Sequence, residues 1–86
     1  MRLLVTARFR RAYATLPPED QKLMQKALRA MAENLRHPSL HVKRIQGTQR
    51  IWEARASRSL RITFETEGDA LILRTVGRHD EALGSP

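Results

Sequence analysis

At 86 residues the chain has the length of one domain, spanning 1–86, and a domain of this size buries only somewhat above ~60% of its unfolded surface, which leaves room for a single thin core. It contains no cysteine, which excludes disulfide staples and thiolate metal sites and points to a reducing cytoplasm rather than a secreted mini-protein. A net charge of +7 favours anionic partners through counterion release, while an apolar fraction of 41% excludes a disordered basic tail.

The first residues, MRLLVTARFRRAY, are basic, and their longest apolar run is Leu3 to Val5. That run is far short of a signal-peptide core or of the ~20 residues that span a bilayer, so a soluble protein without a membrane partner is expected. Arg2 to Thr6 reads as a short strand. From Ala7 to Thr15, Phe9, Ala12 and Tyr13 fall at helical spacing, with Arg8, Arg10 and Arg11 pointing largely away.

Leu16-Pro17-Pro18 breaks this first helix, and Pro18, Glu19 and Asp20 open a second one favourably, because proline is tolerated in the first turn and acids suit the positive helix end. Leu23, Met24, Ala27, Leu28, Met31, Ala32 and Leu35 keep an apolar stripe until Pro38 stops it. Residues 37–50 show no clean period and read as a loop extending along the sheet edge.

Three strands follow: Ile51 to Ala56, Leu60 to Thr66 and Ala70 to Val76, joined by Ser57-Arg58-Ser59 and Glu67-Gly68-Asp69. The expected architecture is α+β, in the order βααβββ, with two helices on a twisted sheet. Alternation places Trp52, Ala54, Ala56, Leu60, Ile62, Phe64, Leu71 and Leu73 against the helices. The opposite face then gathers Glu53, Arg55, Arg61, Thr63 and Arg74 as an open, charged surface.

Between Arg36 and Arg61 the chain carries seven Lys or Arg residues against one acid, Glu53, a pattern that suits a polyanion such as nucleic acid. Arg55, Arg61 and Arg74 share strand parity, so their guanidinium groups are placed to clamp a phosphate and stabilise extra charge in its transition state; solvated positions without a role are the alternative. Lys43, Arg44, Arg50, Arg58 and Arg78 are further candidate RNA contacts. His79 follows the last strand beside Asp80, and an imidazole suits protonation of a departing 5′ oxygen; a surface histidine without a role is equally compatible.

Glu53 is a candidate base for a 2′ hydroxyl, although a salt bridge to Arg55 or Arg61 is the stronger reading, because neighbouring cations make a carboxylate a weaker base. His37 reads as a helix-end residue and His41 as a loop residue able to touch phosphate or serve as a base. Neither has a spacing that builds a metal site with His79. No Walker-type glycine loop, paired metal-binding carboxylates or Ser/His/Asp arrangement appears, so no metal or small-molecule cofactor is expected.

The segments LPPEDQKLMQKAL, HPSLHVKRIQGTQRIWEARAS, SLRITFE and ILRTVGRHDEAL, in this order and at this length, resemble the RelE/ParE superfamily of bacterial toxin–antitoxin toxins. The resemblance implies a compact α+β fold whose antiparallel sheet cradles mRNA in the ribosomal A site, and a cognate antitoxin that neutralises the toxin. It places Arg61 at the scissile phosphate, Arg55 on the preceding strand, Arg74 in support and His79 as the acid of a metal-independent, ribosome-dependent endoribonuclease. Three departures accompany it: Arg55 stands where some members have a lysine base, Leu60 stands where an aromatic precedes the strand arginine, and no clear C-terminal helix is expected. A ParE-like inhibitor of DNA gyrase and a catalytically idle RNA- or antitoxin-binding module are the alternative readings of the same scaffold.

Overall fold

Thr6 ends the first strand and starts the first helix: its Oγ1 accepts from the Phe9 N–H at 3.1 Å and donates to the Leu73 carbonyl at 2.7 Å, capping the helix while tying it to the sheet. The computed structural model describes the whole of Met1–Pro86. Its elements are β1 (Arg2–Val5), α1 (Ala7–Ala14), α2 (Pro18–Glu33), a 3-10 turn (Pro38–Leu40), β2 (Lys43–Arg44), β3 (Trp52–Arg55), β4 (Leu60–Glu67), β5 (Ala70–Arg78) and α3 (His79–Gly84). The fold is α+β. No helix is long and apolar enough to cross a membrane.

The sheet order is β1-β5-β4-β3-β2. β2, β3, β4 and β5 pair antiparallel, but β1 runs parallel to β5, so the sheet is mixed rather than antiparallel throughout. The loop expected along the sheet edge is there, and its Lys43 and Arg44 pair with Glu53 and Trp52 as a two-residue edge strand. Gly68, at φ +59°, makes the tight β4–β5 turn in a conformation that side chains disfavour.

Helix and strand periodicities meet in one core. Phe9, Met24, Ala27 and Met31 from the helices pack with Ala54, Leu60, Ile62, Phe64, Leu71, Leu73 and Val76 from the sheet, and Trp52 lies partly buried against them. Phe64 is fully buried, so Phe64→Ala should cost about 3–5 kcal/mol. Pairing shifts between Thr63 and Phe64: Thr63 faces Thr75 while Phe64 faces Leu73. Arg74 is therefore a bulged extra residue, which puts Leu73 and Val76 on the same core face despite their odd spacing.

The C-terminal segment departs from expectation. β5 continues to Arg78, and residues 79–84 form α3, which packs on β4 and β5. It lies over Gly77, where a Cβ would be in ordinary contact, 3.7 Å from the Cβ of Glu81 and 4.0 Å from the Ala82 nitrogen.

Candidate nucleic-acid interface

The sheet face opposite α1 and α2 carries the residues expected from alternation, but it is covered rather than open. Glu53 is 5% exposed and Arg61 6%, and Thr63 and Thr75 are buried with them. α3 and the residues after it supply the cover. The Pro86 carbonyl accepts from Thr63 Oγ1 and from Arg74 Nε, each at 3.1 Å, and the Ser85 carbonyl accepts from Arg8 Nη2.

Arg61 is engaged on several sides. Its Nη1 donates to the carbonyls of Ser57, Arg58 and Leu60 at 3.0–3.1 Å, so the guanidinium ties down the β3–β4 turn. Its Nε lies 3.7 Å from Glu53 Oε1 but has no hydrogen-bond partner. Burial lowers its pKa from the ordinary arginine value, the facing Arg55 lowers it further, and Glu53 opposes both.

Glu53 also lies 4.0 Å from Lys43 Nζ. Buried between two cations, it is a salt-bridge residue and is not placed to reach a substrate hydroxyl. Arg74 is held by Glu65 at 2.6 Å. Arg55, opposite Arg61 in the ladder, is half-buried and lines a cavity beside α2.

A different set of residues meets solvent at the end of the sheet. The backbone N–H of His79 donates to the Ser59 carbonyl at 2.9 Å, and Arg78 Nη1 donates to Ser59 Oγ at 3.3 Å. Arg58, Arg78 and His79 are all exposed. His79 Nδ1 stands 3.2 Å from Asp80 Oδ1, a pairing that favours the tautomer with Nδ1–H donating to the carboxylate when the ring is neutral. Ser59 is the organising residue that sequence reasoning passed over, because nothing local in Ser57-Arg58-Ser59 shows that it meets β5.

Arg44 and Arg50 are exposed near the opposite edge of the sheet, with Lys43 on the edge strand. His37 caps the 3-10 turn through Ser39, and His41 ends it with a left-handed backbone at φ 45°. His41 lines an open cleft of about 440 Å³ with Arg36 and His37. Three strand spacings of ~4.8 Å separate β2 from β5, so His41 belongs to a different part of the surface from His79.

No protein-family model matches the chain, and no curated protein does. Solved structures do. The chain aligns with YafQ from E. coli strain BL21(DE3) at a TM-score of 0.79 and 11% identity, over 94% of this chain and 97% of that one. A chain of the RelB–RelE antitoxin–toxin complex from Methanococcus jannaschii aligns at 0.74 and 21% identity, over 91% and 92%. The chain has the RelE-type toxin fold. A metal-bound toxin from Helicobacter pylori shares it, at a TM-score of 0.77 and 20% identity over 94% and 97% of the two chains. On this RelE-type scaffold, the exposed Arg78 and His79 are fastened to Ser59, whose chain neighbour Arg58 is also exposed, whereas Arg61 and Glu53 form a buried pair.

Proposed function

We propose that this chain is the toxin of a type II toxin–antitoxin system and acts as an mRNA endoribonuclease on translating ribosomes. The observation that carries the reading is the fastening of the His79 backbone to Ser59 at 2.9 Å, which keeps an exposed histidine at the turn that carries the exposed Arg58, next to the exposed Arg78, on a chain of net charge +7. The neighbours crystallised as RelB–RelE and RelBE complexes support a cognate antitoxin as its partner.

In this reading Arg58 and Arg78 hold the scissile phosphate. The 2′ oxygen attacks phosphorus, its proton leaving to solvent or to a ribosomal group, and the bond from phosphorus to the 5′ oxygen breaks. His79 Nε2 delivers the proton that the departing oxygen takes up. Arg61 acts indirectly, by keeping the turn that presents Arg58 and Ser59 in place. Arg74 and Arg55 take supporting places, since Arg74 is already bonded to Glu65 and Pro86. The ribosome supplies orientation that so small a domain lacks.

Induction of this chain alone, followed by mapping of mRNA 5′ ends, tests the proposal. New ends within translated codons are expected. Intact mRNA with accumulating DNA breaks and co-purifying gyrase would replace it with the ParE-like reading, and neither effect would leave an idle binding module.

A further inference from the structure

A second recess lies where α2, the 3-10 turn and the end of β3 meet, with a volume of about 190 Å³. Leu23 and Ala30 contribute to its accessible apolar part, and Lys26, His37, Ser39 and Arg55 to its polar part. None of its lining residues is an acid. Arg55 brings a half-buried guanidinium to the lining, and its Nε has no hydrogen-bond partner within the chain.

His37 adds a second donor. Its Nδ1 accepts from the Ser39 N–H at 3.3 Å and lies 2.7 Å from Ser39 Oγ, so the proton of the neutral ring sits on Nε2. The recess therefore combines cationic donors with an apolar wall and asks for an anion on an apolar stem. Its volume is below the ~300–1,000 Å³ of pockets that enclose drug-sized ligands, which suits one side chain rather than a nucleotide. An RNA phosphate, flanked by riboses, would leave Leu23, 41% exposed at the recess, without an apolar partner.

We propose that this recess takes the carboxylate of one glutamate or aspartate side chain of a partner protein. The choice of partner, an acidic antitoxin, rests on the toxin reading above. The recess includes none of Arg58, Arg78 and His79, so of the groups given a part in cleavage the partner would engage only Arg55, in its supporting place.

The test is an NMR titration of the ¹⁵N-labelled 86-residue chain with N-acetyl-Leu-Glu-amide, with its Gln counterpart, and with inorganic phosphate. The Glu peptide should produce saturable shifts at the amides of Ser39 and Arg55 and at the His37 ring, with an affinity about tenfold above that of the Gln peptide. Lys26→Gln should weaken it about threefold, and Ala30→Leu, which fills the recess, should abolish it. Should Ala30→Leu fail to fold, Lys26→Gln on an exposed helix face still decides. Absent shifts, equal binding of the Gln peptide, or tighter binding of phosphate at the same amides would each overturn the inference. Lys26→Gln should leave mRNA cleavage at the wild-type rate. Failure of cleavage with intact peptide binding would strike only the ribonuclease reading, and failure of peptide binding with intact cleavage only this one.

Discussion

The amide of His79 is bonded to the carbonyl of Ser59, so the first residue of α3 is held against the β3–β4 turn although the two lie far apart in sequence. A histidine fixed by its own backbone can present a ring nitrogen reproducibly without burying it. His79→Ala keeps that backbone bond and removes only the imidazole. Ribosome binding should stay near wild type while single-turnover cleavage on programmed ribosomes slows by ~10²- to 10⁴-fold, the usual contribution of a positioned acid. Cleavage at the wild-type rate would remove His79 from the acid's role and leave a ribosomal group to be tested in its place.

Arg58 and Arg78 are expected to act as charges on phosphate. Each alanine variant should reduce the slope of log affinity against log salt by roughly 0.7 to 1 for a single-stranded RNA, measured by fluorescence anisotropy. Arg74→Ala should change the slope much less, because Glu65 already neutralises that guanidinium at 2.6 Å.

Arg61→Met should act on stability. It leaves Glu53 buried with only the distant Lys43 nearby and strips three carbonyls of the turn of their donor, and breaking such a pair typically costs about 3–5 kcal/mol. Urea unfolding of the double variant Arg61→Met/Glu53→Met should recover most of that loss. A single variant as stable as the wild type would remove Arg61 from its role in the turn.

Gly77 lies directly beneath α3, with room for a methyl group but not for a long side chain. Gly77→Ala meets its neighbours at 3.7 Å, ordinary contact, and should shift stability by no more than about 0.5 kcal/mol. Gly77→Leu should lift α3, and hydrogen exchange at the Thr75 amide, which donates to Thr63 Oγ1, should quicken. Unchanged protection would show that α3 tolerates the larger side chain in place.

Much of the architecture was legible in local pattern. The stripe from Leu23 to Leu35 marked α2 because a helix must repeat its apolar face every 3.6 residues, and the alternation through Leu60, Ile62 and Phe64 marked β4 because strand side chains alternate in direction. Pro18 and Pro38 bracketed α2 through backbone chemistry that needs no tertiary context. The resemblance carried by LPPEDQKLMQKAL and ILRTVGRHDEAL pointed to the fold that the structure shows.

Tertiary structure decided the rest, since it depends on segments distant in sequence. The parallel pairing of β1 with β5 comes from where the chain returns. The Arg74 bulge arises from a register between two strands that neither strand carries alone. Parity correctly placed Glu53, Arg61 and Thr63 on the face away from the main helices, but parity tells only which way a side chain points, not what will cover it. That cover is α3 with the residues after it, and α3, six residues long, is too short to show a helical period of its own; it forms because β4 and β5 offer it a surface. Composition and periodicity therefore determined a small basic α+β domain, and long-range packing buried Arg61 while leaving Arg58, Arg78 and His79 exposed.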